Sequence, residues 1–230
     1  MIKSASEIRS AARAALSGHW AEAAMLTMCC CIAVWVFSFI AIVLEDVQQG
    51  CGTLALLLLL PLEWSYAVIF LLNARGEDDS FREISRRVTR RASRSALLSA
   101  FLLIIPRMFD GYRDFVRIFT TTLLTQIYIL LWALLFIIPG IIKSLSYAMT
   151  PFVLRDNPEK KNNEAIELSM KMMNGHKGDL FWLYLTFIGW GILCGFTLGI
   201  GYLWLAPYVQ ASTAQFYEEV KADYELKRER

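Results

Sequence analysis

The sequence predicts an all-α, polytopic membrane helix bundle. It reads as a single integral membrane domain over residues 1–230, with about six transmembrane spans joined as helical hairpins and flanked by amphipathic interfacial helices. Three observations carry this. Of the 230 residues, 56% are hydrophobic and only 19% are charged, against about 45–50% and about 25% in soluble domains. The apolar residues gather in long windows nearly free of charge. The basic residues fall between those windows, almost all on one side of any membrane the windows cross. This composition excludes a soluble globular domain, a disordered chain and a disulfide scaffold. The net charge of +2 is small; its distribution is what informs.

Ser4 and Glu7 fit a capping box, so residues 5–17 read as a short interfacial helix ahead of Trp20. Ala23 to Leu44 is a run of 22 residues without a charge. As a helix it spans about 33 Å, enough for a hydrocarbon core of about 30 Å, and predicts a first span near 21–44. This run is longer than a signal-peptide core, and Glu7 and two arginines precede it, so no secretory signal is expected. A second span near 52–74 contains one charge, Glu63.

Residues 77–117 read as a basic cytoplasmic loop. Arg86, Arg87, Arg90, Arg91 and Arg94 fall within an arc of roughly 140° on a helix, with Val88, Ala92 and Ala96 opposite. That pattern suits an anionic membrane surface, and makes anionic lipid headgroups the expected partner. No aromatic residues interleave these arginines as a stacking platform for bases requires, so no nucleic-acid partner is expected.

Two further windows, Ile118 to Leu154 and Leu180 to Tyr217, are too long for one span each. The second holds 38 uncharged residues, about 57 Å of helix. Each carries a breaker near its middle, Pro139-Gly140 in one and Gly199-Ile200-Gly201 in the other. Folding each back gives spans near 119–138, 141–155, 180–198 and 202–218. One long kinked helix over 119–154 is the alternative. Charge distribution favours the hairpin: with six spans, all Lys and Arg except Lys143 share the side expected to be cytoplasmic. Both termini are then cytoplasmic. Between the hairpins, Ile166, Met170 and Met173 line one face of a second amphipathic piece closed by Asn174-Gly175.

Few residues suggest chemistry. Glu63 falls near the middle of the second span, two residues after Pro61. An ionisable group there is a site candidate by default; it reads either as a proton or cation site or as a neutral acid hydrogen-bonded inside the bundle. Lys143 either snorkels outward or pairs inward with Glu63, so their separation tests the topology. Gly191, Gly195 and Gly199 repeat at four-residue spacing, a close-packing face for another helix or a second copy of the chain. Cys29, Cys30 and Cys31 are consecutive and point about 100° apart on a helix, so they cannot converge on one ion. No metal site and no cofactor are expected. No phosphate-binding loop, dinucleotide fingerprint, nucleophile elbow or zinc-protease motif occurs, and a non-enzymatic protein is expected. Its role is then structural, accessory or membrane-organising, with a small-solute or ion transporter or channel using Glu63 as the alternative. A homo-oligomer or a membrane-protein partner fits either role.

LWALLFIIPGIIKSLSYAMTPFVLRDNP (131–158), EAIELSMKMMNGHKGDLFWLYLTFIGW (164–190) and LGIGYLWLAPYVQASTAQFYEE (198–219) together resemble the bacterial integral membrane family known as domain of unknown function 975. ALSGHW (15–20), PLEWSYAVIFLLNARGED (61–78) and MFDGYRDFVRIF (108–119) are similar to its earlier segments. The resemblance implies a multi-spanning protein of the bacterial cytoplasmic membrane. It implies no reaction and transfers no catalytic residue. Residues 80–107, with the arginine stripe, look like an expansion of the family pattern.

Overall fold

A computed structural model describes residues 3–47, 57–77, 104–160 and 162–229. The arginine stripe at 86–94, most of the basic loop, Cys51 and the start of the second span lie outside the described residues. Within them the chain is helical and holds no strand. In chain order the helices are α1 (Ala5–Leu16), α2 (Trp20–Val47), α3 (Leu60–Arg75), α4 (Phe115–Leu135), α5 (Ile137–Tyr147), α6 (Thr150–Asp156), α7 (Asn163–Met172), α8 (Lys177–Phe196) and α9 (Tyr202–Arg228), with a 3-10 turn at Asp110–Tyr112 before α4.

Four helical stretches are long and apolar enough to cross a membrane: Trp20–Ile42, Phe115–Leu135, Ile137–Asp156 and Lys177–Phe196. Among the described residues, α3 and α9 do not reach that measure; the start of the expected second span, 52–56, lies outside the described residues. Helix α3 has 16 residues, and α9 turns polar from Glu218 onward. Both are interior helices. Phe70 and Leu71 of α3 are fully buried, as are Ala214 and Phe216 of α9. Truncating a buried phenylalanine of this kind costs about 3–5 kcal/mol. The outer helices do the opposite. Trp35, Leu134 and Phe196 are 80%, 79% and 83% exposed, and Leu198 in the turn after α8 is 95% exposed, more apolar surface than a soluble monomer tolerates.

The stretch 119–154 is a hairpin, not one long helix. Tyr128 meets Tyr147 with ring centroids 6.4 Å apart, and Lys143 Nζ lies 4.9 Å from the Trp132 ring. The Arg117 guanidinium donates to the Leu154 carbonyl at 3.1 Å. Those pairs run antiparallel. The corner falls at Phe136, which is extended (φ −158°, ψ 139°), three residues before the expected Pro139-Gly140. Pro139 instead occupies the first turn of α5, where a missing N–H is harmless. Gly140 lets the helices close: a Cβ there would stand 2.8 Å from the Ala133 Cα.

The second hairpin is equally clear. Phe187 and Tyr208 pack edge to face at 5.1 Å, and His176 Nε2 meets the Asp223 carboxylate at 3.0 Å. Helix α8 stops at Phe196, so Gly199 is not on it; with φ +85° it forms the turn. This corrects the expected glycine stripe. A Cβ at Gly195 would meet nothing within 4 Å, and at Gly191 it would meet only the Tyr202 hydroxyl at 3.8 Å. The glycine that does pack is Gly201, against Cys194.

The N-terminal helix forms as its sequence dictates. The Ser4 hydroxyl accepts from the Glu7 N–H while the Glu7 carboxylate accepts from the Ser4 N–H at 2.7 Å, a complete capping box. Its apolar side, Ile8, Ala12 and Leu16, is buried. The Tyr208 hydroxyl donates to the Arg9 carbonyl at 3.3 Å, and Lys3 pairs with Glu219 at 2.5 Å. The helix therefore docks along α9.

Candidate functional site

Between α3, α4, α5, α6 and α9 lies a cavity of about 370 Å³. Each wall has a local cause. Thr122, Thr125 and Gln126 sit at i, i+3 and i+4 of α4, one face of a helix. Helices α5 and α6 do not join smoothly, because Pro151 cannot continue the hydrogen-bond ladder. The break opens the wall at Tyr147, Thr150 and Pro151. The Pro151 carbonyl is held by the Trp64 indole N–H at 3.0 Å. Gln210 closes the cavity from α9, one turn after Pro207.

Glu63 opens on this cavity. It lies in the first turn of α3, just after Pro61, rather than at the middle of a regular 52–74 helix. A carboxylate suits a helix N-terminus, where the dipole is positive. Thr150, also on the cavity wall, has a buried hydroxyl without a hydrogen-bond partner, and the residue is 3% exposed. A buried unpaired hydroxyl costs about 1–3 kcal/mol. Thr125 and Thr121 are also buried, but each donates to the carbonyl four residues earlier, at 2.8 Å. The arrangement is one carboxylate, two primary amides and several hydroxyls beside the rings of Trp64, Tyr66 and Tyr147.

Lys143 does not line this cavity, and no Glu63–Lys143 ion pair occurs among the described residues. Its ammonium is placed over Trp132, 6.0 Å from the Tyr147 ring and 4.0 Å from the Met170 sulfur. A cation over aromatic faces is stabilised without a carboxylate. The described cysteines are free, and among the described residues no group of three His, Cys, Asp or Glu is placed to hold a metal.

Sequence reasoning missed a charge cluster where α3, α6 and α9 come together. The Asp156 carboxylate accepts both terminal nitrogens of Arg75 at 2.7 Å, the Lys221 ammonium at 2.7 Å and the Tyr217 hydroxyl at 2.8 Å. Arg75 also donates to Glu218 at 2.8 Å. The Asp156 hydrogen bonds, with that of Glu218, raise the Arg75 pKa further above its ordinary value. The available signal was positional: Arg75, Asp156 and Glu218 each stand at the end of an apolar window. Nearby, Lys227 and His176 hold the Asp223 carboxyl below its ordinary range. Asn157 and Arg228 line a common cleft, so the connection after α6 and the end of the chain lie at one pole of the bundle.

Comparison with known proteins gives one family. Residues 134–224 match the family described as "Protein of unknown function (DUF975)". The matched part runs from the tip of the first hairpin through most of α9; Glu63 and Arg75 precede it. No curated protein and no solved structure matches the chain.

Proposed function

We propose from the geometry that this chain, whose residues 134–224 match a family whose description assigns no activity, is a non-enzymatic, multi-pass membrane protein that binds a small cationic solute at Glu63. The solute moves through, or is held within, the cavity between α3, α4, α5, α6 and α9. The protein sits in a bacterial cytoplasmic membrane with both termini inside. The observation that carries the reading is the cavity itself. Glu63 faces space bounded by amides, hydroxyls and aromatic rings. A carboxylate supplies the countercharge, and rings supply cation–π contact of about 0.5–2 kcal/mol. A purely organising role has no need of a polar cavity inside an apolar bundle.

The test is uptake of methylammonium and tetramethylammonium by proteoliposomes holding the full chain. Wild type is expected to take up at least one of them with saturation, and Glu63→Gln to lose most of that uptake. Thr150→Val, which keeps shape and removes the hydroxyl, is expected to weaken it. Equal uptake by wild type, Glu63→Gln and protein-free vesicles would remove the reading.

A further inference from the structure

Where α1 lies against α8 and α9 there is another cavity, of about 480 Å³. Arg9 and Arg13 line it beside Trp190 of α8 and Tyr208 of α9, and no carboxylate does. Among the described residues neither arginine makes an ion pair. The Arg9 Nε is buried without a hydrogen-bond partner, and the Arg13 guanidinium has only the Tyr208 ring, 5.9 Å from its centroid. The acid of α1, Glu7, is taken up by the Ser4 cap. An adjoining cavity shares Arg9 and brings two more charged groups, Lys3 and Asp179. Lys3 pairs with Glu219, and Asp179 stands 3.5 Å from His176. Even counted against Arg9, Asp179 leaves Arg13 without a countercharge.

The sequence of α1 sets this arrangement. Burial of Ile8, Ala12 and Leu16 fixes the rotation of the helix, and the bond from the Tyr208 hydroxyl to the Arg9 carbonyl holds it against α9. Arg9 and Arg13 are then one turn apart on a common face. Ser6, Ser10 and Ser17 share the cavity wall, but their hydroxyls are already engaged. Ser6 meets the Ser4 hydroxyl at 3.0 Å, Ser10 donates to the Glu7 carbonyl at 2.8 Å, and Ser17 donates to the Ala14 carbonyl at 2.6 Å. The guanidinium groups are the donors left over.

We infer that Arg9 and Arg13 bind the phosphodiester headgroup of an anionic glycerophospholipid in this cavity. Planar guanidinium groups match phosphate oxygens in pairs, and two of them one turn apart can share one phosphate. The surroundings account for the choice of a lipid over free phosphate. Helix α8 is long and apolar enough to cross a membrane, and Trp190, Ile192 and Leu193 on it are each more than half exposed. A headgroup held at α1 leaves its acyl chains against that apolar surface. A guanidinium beside a membrane-crossing helix is costly unless a countercharge meets it, and the phosphate supplies one. The arginine stripe at 86–94 takes no part, and the inference is independent of what occupies the Glu63 cavity.

Native mass spectrometry of the full chain, released from a neutral detergent with phosphatidylglycerol or phosphatidylcholine added, tests it. Phosphatidylglycerol is expected to stay bound. Phosphatidylcholine is expected to leave, because its choline cation would stand beside the guanidinium groups. Arg9→Gln with Arg13→Gln should weaken phosphatidylglycerol retention about 30-fold, taking about a factor of five for each basic contact. Arg9→Lys with Arg13→Lys should recover most of it. Lipid held by the 86–94 stripe is retained equally by wild type and these variants, so it drops out of the comparison. Arg13 is exposed; if the double variant melts lower, Arg13→Gln alone carries the test, with a loss of about fivefold. Equal retention of both lipids by wild type, or unchanged phosphatidylglycerol retention in the glutamine variants, would overturn the inference. So would full displacement of the lipid by millimolar inorganic phosphate, since the site would then serve the free anion.

Discussion

Replacing Asp156 with asparagine tests the packing of the bundle at its charged pole. The carboxylate accepts four hydrogen bonds, two from Arg75 and one each from Lys221 and Tyr217. The Asp156 side chain is 9% exposed and that of Arg75 16%. An asparagine keeps one acceptor oxygen but turns an NH2 group toward a guanidinium or an ammonium. Breaking one side of a buried ion pair costs about 3–5 kcal/mol. Lys221 is a third exposed and Arg75 keeps Glu218, so the lower end applies, about 3 kcal/mol. At about 2–4 °C per kcal/mol for a chain of this size, Asp156→Asn should melt about 6–12 °C lower in detergent. Arg75→Met with Asp156→Leu should melt closer to wild type than the two single losses add up to, because the double change leaves no unpaired charge at that pair. A melting point within about 1 °C of wild type for Asp156→Asn, or strict additivity in the double variant, would refute the reasoning.

Other expectations follow from contacts already described. Gly140→Val should destabilise by about 1–3 kcal/mol through overpacking against Ala133, read as a lower melting temperature; an unchanged value would mean that α4 and α5 do not close there. Gly111→Ala should cost a similar amount, since its Cβ meets the Pro61 carbonyl and the Ser65 hydroxyl, both tied to the turn. It should also loosen the Arg107–Arg117 segment, visible as faster amide exchange. Ser4→Ala removes the capping side chain of α1 and should cost about 1 kcal/mol, with exchange rising at residues 5–9 and not in α9.

Much of the architecture was legible because bilayer physics writes it in large letters. Apolar windows longer than one span, interrupted by breakers, had to fold back, and both do. The exact corner was not legible. Pro139-Gly140 looked like the break, yet the chain turns at Phe136, because proline is at home in a first helical turn and glycine there serves close approach. The glycine repeat failed for a related reason: spacing alone does not say where a helix stops, and Gly199 stops it. Glu63 could be singled out, since one acid in an apolar run is conspicuous. Its companions could not. Thr122, Thr125, Gln126, Thr150 and Gln210 are ordinary small polar residues in their own helices, and only tertiary packing brings them to one space. The Asp156 cluster was hidden likewise, as ordinary charges at the ends of apolar windows.

The account rests on both hairpin tips leaving the membrane on the face opposite the charged pole. Single cysteines at Ile137 and Leu198, which are 76% and 95% exposed, and at Arg228, each placed in a background lacking the five native cysteines, can be probed with a membrane-impermeant maleimide in intact cells. The two tip cysteines should label from outside, and Arg228→Cys only after the cells are opened. Labelling of either tip only after opening, or of Arg228→Cys in intact cells, would contradict the account.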